Sequence, residues 1–106
     1  MSLWRRGDEI PQSGKRTLVG IAPYSRYDFQ VLDELFKIQR TDDRPFGCLQ
    51  VFDMLDCRDK GDFEDFVPGI GVVRQSPAVG IWIDGVVVEK EWGWKGRQLL
   101  GLARVL

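Results

Sequence analysis

Asp84-Gly85 is the feature that most narrows what this chain can become. The pair tolerates positive φ at both positions, which a two-residue β-turn of the primed type demands. It is flanked by Ala78 to Ile83 (AVGIWI) and Val86 to Trp92 (VVVEKEW), both rich in β-branched and aromatic residues. These stretches are expected to form an antiparallel hairpin. Ile83 would face Val86 and Ile81 would face Val88 on one side, with Trp82 against Val87 on the other. Gly93 breaks the second strand. A final helix is expected from about Lys95 to Leu106, with Leu99, Leu100, Leu102, Ala103 and Leu106 as its apolar positions. Apolar residues occupy much of its circumference, which reads either as a self-association face or as frayed terminal packing.

Upstream of the hairpin the pattern changes. Thr17 to Ala22 (TLVGIA) is a short apolar run stopped by Pro23, which suits a buried strand. Ser25 is an N-cap candidate, with Asp28 three residues on. Phe29, Leu32, Leu35, Phe36 and Gln39 then follow helical spacing to about Arg40, and Asp33 and Lys37 form an i,i+4 pair on the outer face. Asp42, Asp43, Pro45 and Gly47 mark a loop. Cys48 to Leu55 (CLQVFDML) reads as a second strand with both faces covered. After a polar loop, Asp62 is expected to cap a short helix, Phe63 to Val67, ended by Pro68 and Gly69. Residues 1–16 are polar and punctuated by Gly7, Pro11 and Gly14. They read as an arm preceding a domain at 17–106, with Leu3 and Trp4 either tucked onto that domain or adding an edge strand. The order is β-α-β-α-β-β-α: an α/β fold with a mixed four-stranded sheet and helices on both faces.

Composition removes several kinds of chemistry. The chain has 106 residues, enough for one domain. Its 15 basic and 16 acidic residues give a formal charge of -1, which argues against a nucleic-acid binder relying on bulk positive charge. There is no histidine, so a Ser-His-Asp triad and a Cys-His pair are excluded. Cys48 and Cys57 alone do not make a structural zinc site or a secreted disulfide framework. No run has the length of a membrane span, and Met1 to Gly14 lacks a signal-peptide apolar stretch. A reducing cytoplasm is the expected setting. The carboxylates at Asp42-Asp43, Asp62, Glu64-Asp65, Glu89 and Glu91 read as solvated, and no phosphate-binding glycine motif is present.

Three stretches resemble the thioredoxin-like superfamily: Leu18 to Pro23 with the helix after it, Val51 to Asp56 (VFDMLD), and Gly69 to Gly93. The resemblance covers roughly residues 17–106. In the family the third stretch carries a cis proline, a strand, a turn ending in Gly, a second strand and a Gly before the last helix. The resemblance implies a cis Ser76-Pro77 bond. Catalytic members also carry Cys-x-x-Cys at the start of the first helix, where the helix N-terminus favours the thiolate. Here that place reads Pro23-Tyr24-Ser25-Arg26-Tyr27-Asp28, without sulfur. Disulfide reduction is therefore not expected, and neither is a cofactor.

The resemblance nominates a surface. In the family the residue before the proline presents backbone groups to an extended peptide or to glutathione. The leading expectation is a redox-inactive domain that binds a protein or peptide partner through Tyr24, Ser25, Arg26 and Tyr27 together with Arg74, Ser76 and Pro77. Trp92 and Trp94, flanking Gly93, would extend the surface, since exposed aromatics anchor partners. The alternative is glutathione binding, with Tyr24 or Ser25 near the thiol. A third reading is a thiol switch through Cys48 and Cys57. Against these stand plainer roles: Ser25 as a helix cap, the tyrosines and tryptophans as packing residues, and Pro77 as the start of a strand.

Overall fold

The computed structural model describes residues 2–41 and 47–103, with side chains from Ser2 to Ile38 and from Gly47 to Ala103. The elements are β1 (Ser2–Leu3), β2 (Lys15–Ile21), α1 (Arg26–Thr41), β3 (Cys48–Asp53), a 3-10 turn (Met54–Asp56), α2 (Asp62–Phe66), β4 (Ala78–Ile83), β5 (Val86–Trp92) and α3 (Trp94–Ala103). They build a mixed sheet in the order β1-β3-β2-β4-β5. The sheet has five strands rather than four, because the arm contributes β1 in parallel register with β3 (Ser2 opposite Gln50, Leu3 opposite Val51). β2 is parallel to β3 and antiparallel to β4, which is antiparallel to β5. The expected loop carboxylates Asp42 and Asp43 and the helix position Leu106 lie outside the described residues, as does the side chain of Gln39.

Alternation along the strands sorts the core onto two faces. Val19, Ile21, Val79 and Ile81 pack with Val31 and Leu35 of α1 and Leu99, Leu100 and Ala103 of α3. Leu18, Phe52, Ala78 and Trp82 face the other way, onto Phe63 and Phe66 of α2 and onto Trp4. The α2 layer is thin, since α2 has only five residues. Trp4 completes it: it is 1% exposed, and its indole N–H donates to the Phe66 carbonyl at 2.8 Å. Of the two placements open to Leu3 and Trp4, the structure uses both, with Leu3 on the edge strand and Trp4 in the core. Among the described residues no helix is long and apolar enough to cross a membrane.

The hairpin turns on Asp84 (φ 52°) and Gly85 (φ 84°), as the primed turn requires. Ile83 faces Val86 and Trp82 faces Val87, but Ile81 pairs with Glu89 rather than Val88. The register shifts between Ile81 and Trp82, leaving Val88 as the extra residue of a bulge. A second correction concerns the start of α2. The Asp59 carboxylate, not that of Asp62, accepts from the backbone N–H of Gly61 (2.9 Å) and Asp62 (3.0 Å). Asp62 is the first residue of the helix and is buried rather than solvated.

Candidate functional site

Because β2 and β3 are parallel, both finish at the same end of the sheet, where β4 begins and β5 stops. Ligands of open α/β sheets collect at the carboxyl ends of parallel strands, where connecting segments converge and helices begin. Here the converging segments are 22–28, 54–61, 72–77 and 92–97. Every residue nominated for partner or ligand binding lies on one of them, as does Cys57, whereas Cys48 opens β3 at the other end of the sheet.

Local chemistry fixes the first segment. Ser25 donates its backbone N–H to the Ala22 carbonyl at 2.9 Å, and its Oγ accepts from the Asp28 N–H at 3.2 Å. Ser25 is thus engaged as the cap of α1. The fully buried Asp28 accepts the Ala22 N–H through Oδ2 at 2.7 Å, stapling the strand exit to the helix start. Its Oδ1 has no partner among the described residues. Pro23 and this staple throw Tyr24 outward, leaving it 81% exposed. Arg26 is also exposed.

The third segment is held from two sides. The Glu64 carboxylate, read from the sequence as solvated, accepts the N–H groups of Gly69 (2.6 Å) and Gly71 (2.8 Å). Further on, Ser76-Pro77 is a cis peptide bond. The buried Pro77 gives its carbonyl to the Gly93 N–H at 2.9 Å. Gly96 of α3 lies so close that a Cβ there would stand 2.6 Å from the same carbonyl oxygen.

Two clefts flank this segment. Tyr24, Leu55, Cys57, Lys60 and Arg74 belong to a cleft of about 230 Å³, floored by Ala22, Phe63 and Val73. Gln75, Trp92, Trp94 and Lys95 belong to another, of about 350 Å³. Trp94 is 63% exposed there, while Trp92 is half-buried against the α2-side core. Val73 and Arg74 border the first cleft and Gln75 the second, so the chain just before Ser76-Pro77 forms the ridge between them.

Tyr27 departs from the expected surface. It packs partly into the α1–α3 core, and its hydroxyl receives a hydrogen bond from Arg97 at 3.3 Å. The Arg97 guanidinium also stacks over the Tyr27 ring at 5.2 Å and pairs with Glu34 at 3.1 Å. Tyr27 faces α3 rather than the proline loop because it lies on the helix stripe that includes Val31.

Electrostatics divide the cleft. Among the described residues Arg26, Lys60 and Arg74 carry no ion pair. Asp59, the one carboxylate in the cleft wall, already accepts two backbone N–H groups. The cleft therefore offers positive charge beside an exposed phenol and the exposed Leu55. Burial, reinforced by the negative charge of Asp62, pushes the Cys57 thiol up to about 11, which disfavours the nucleophilic thiolate at neutral pH. Cys48 and Cys57 are both free, and β3 separates them. The strand alone spans roughly 16 Å, more than twice the Cα separation of about 7 Å that a disulfide allows. Among the described residues no cluster of three or more metal-ligating side chains occurs.

Sequence reasoning missed the clamp behind the cleft wall. Asp62 receives Arg6 in a two-pronged contact (3.1 and 2.6 Å), the Arg58 guanidinium at 3.1 Å and the Arg58 N–H at 2.8 Å. Those hydrogen bonds, Arg6 foremost, hold its carboxyl well below the usual carboxylate range. Arg6 also donates to the Asp56 carbonyl at 3.1 Å and lies over the Phe66 ring. The i,i+4 spacing of Arg58 and Asp62 was a usable signal. Nothing local pointed to Arg6. Set against known proteins, the sequence matches no family model and no curated relative.

Proposed function

We propose that this chain is a redox-inactive, thioredoxin-like domain that binds an extended, acidic peptide segment of a protein partner across the Tyr24–Arg74 cleft and the Ser76-Pro77 ridge. The observation that carries the reading is the composition of that cleft: Tyr24, Lys60 and Arg74 stand together, exposed, with both cations lacking an ion pair among the described residues. The strand order and the cis Ser76-Pro77 bond support the family resemblance. The absence of sulfur at the start of α1, with the Cys57 thiol held protonated, supports a binding role over disulfide chemistry. Trp94 and Lys95 extend the surface beyond the ridge.

Glutathione is the second reading, because it too is acidic and Tyr24 holds its phenol exposed beside the start of α1. Ser25 contributes less to that reading, since its oxygen already caps the helix. An amide NMR titration separates the two. The probes are reduced glutathione and a short blocked peptide alternating leucine and glutamate. Saturable shifts at Tyr24, Lys60, Arg74 and Gln75 with the peptide, lost in Arg74→Ala, uphold partner binding. Equivalent shifts with glutathione at millimolar concentration move the assignment to the second reading. Silence towards both sinks the cleft as a site.

A further inference from the structure

The arm displays, in one chain, the recognition of an extended segment by a groove. The outer edge of β3 pairs with Ser2 and Leu3 and receives the Trp4 N–H on the Val51 carbonyl at 2.8 Å. The Trp4 ring fills a slot lined by the α2-side core and gives its indole N–H to the Phe66 carbonyl. Arg6 then closes on Asp62, whose side chain is 3% exposed. Strand addition, one buried aromatic anchor and a two-pronged arginine–carboxylate contact are the elements of β-strand recognition of a peptide.

What keeps this segment on its own body is slight. Arg5 to Asp8 form an exposed turn closed by the Asp8 N–H on the Arg5 carbonyl (3.0 Å) and the Arg5 N–H on the Asp8 carboxylate (2.8 Å). Gly7 sits in it at φ 92°, and a Cβ there would meet nothing within 4 Å. When such a turn opens, water replaces its two exposed hydrogen bonds. All the contacts of Trp4 and Arg6 can be made again on another copy. At a given protein concentration the balance between the two arrangements is set by the turn against the entropy lost when two copies associate.

We propose that the groove between β3 and α2 is an interaction surface for a second copy of this chain, and that two copies associate by exchanging residues Ser2 to Arg6. The exchange is reciprocal and closes on a two-fold axis. The proposal does not rest on the function assigned to the Tyr24–Arg74 cleft.

Gly7→Pro tests it, because the pyrrolidine ring fixes φ near −65° and cannot hold the present turn. Light scattering after size exclusion is run on wild type and variant from micromolar to millimolar concentration, and NMR follows the Trp4 indole N–H. The variant is expected to dimerise with a dissociation constant lower by about tenfold or more, the equivalent of some 1.4 kcal/mol. Its Trp4 resonance should stay at the native position, and excess free peptide Ser-Leu-Trp-Arg-Arg should disperse the dimer. A variant that stays monomeric, with Trp4 docked or released, overturns the proposal, and so does a dimer indifferent to the peptide. Gly7→Val, which disfavours positive φ without removing an N–H, must move in the same direction by a smaller factor and serves if the proline variant does not fold.

Discussion

α3 contains two glycines that the structure separates sharply, and they make a matched test of how the proline loop is held. Gly96 and Gly101 both lie inside the helix. In a helix interior, Gly→Ala ordinarily gains up to about 1 kcal/mol, from the backbone entropy that glycine loses on folding. Gly101 should show that gain, about 0.5–1 kcal/mol, because a Cβ there meets nothing within 4 Å. Gly96 should reverse it. A methyl group at that position would stand 2.6 Å from the Pro77 carbonyl oxygen and 3.3 Å from that of Glu91, both backbone atoms that cannot swing aside. Forcing such overpacking costs roughly 2–3 kcal/mol, so the net loss after the helix gain is about 1–2 kcal/mol. The two variants should therefore differ by roughly 2–3 kcal/mol in urea unfolding followed by tryptophan fluorescence, with unchanged m-values. The Gly96→Ala Tm should fall by about 4–10 °C. Amide shifts in Gly96→Ala should centre on Ser76, Pro77 and Gly93, since the Gly93 N–H donates to the same carbonyl. A Gly96→Ala protein as stable as wild type would refute the close approach and with it the account of what fixes the ridge. A destabilised Gly101→Ala would mean that α3 does not run through that residue.

Three further outcomes follow from the same geometry. Trp4→Ala should cost about 3–5 kcal/mol by thermal or urea unfolding, a large share of the roughly 5–15 kcal/mol of a typical domain; a loss below about 1 kcal/mol would mean the arm is not part of the core. Asp62→Asn should destabilise at neutral pH. The folded pKa of Asp62 is depressed, so its contribution is present above the unfolded value near 3.9 and disappears as pH falls through the folded one. The stability gap between variant and wild type should hold steady from about pH 5 to 8 and narrow only below about pH 4, and a gap that varies across neutral pH would contradict the clamp. Iodoacetamide should label the exposed Cys48 before Cys57, read by peptide mass spectrometry. With its thiol near 11, Cys57 is thiolate to only about one part in a thousand at pH 8, and its labelling should quicken about tenfold per pH unit up to that range. Equal labelling at neutral pH would remove the buried, charge-opposed setting assigned to Cys57.

The parts of this fold legible in the sequence are those written by neighbours. The hairpin strands begin and end where the Asp84-Gly85 turn and the breakers beside it say they should, and α1 starts at its serine cap. Each rests on residues within a few positions of one another, where periodicity and turn chemistry act. What stayed hidden depends on partners far apart along the chain. Arg6 and Asp62 are 56 residues apart, and Trp4 and Phe66 are 62 apart. A polar, glycine-punctuated segment looks like a loose arm until the slot that takes its tryptophan has been built by other elements. Asp62 looks solvated until two arginines are brought to it, and an unpaired buried carboxylate would be too costly to keep there. Even the hairpin hides its bulge, because the extra residue at Val88 registers only when Ile81 is seen opposite Glu89.

The candidate site divides in the same way. Its place at one end of the sheet could be argued from element order, since parallel β2 and β3 must finish together and the segment before β4 must return there. Its chemistry could not. Tyr24 and Tyr27 are three residues apart, yet one stands in solvent beside Arg74 and the other lies under Arg97. The deciding difference is that Tyr24 precedes the Ser25 cap, where the chain is still turning outward, whereas Tyr27 is already on the helix face that meets α3. Lys60 and Leu55 reach the cleft only through the path of the chain after β3, which Arg6 and Arg58 fix by holding Asp62 and, for Arg6, the Asp56 carbonyl. The wall that presents the candidate binding residues is thus held by a residue of the arm. Loosening Arg6 should disturb the cleft as well as the core beneath it.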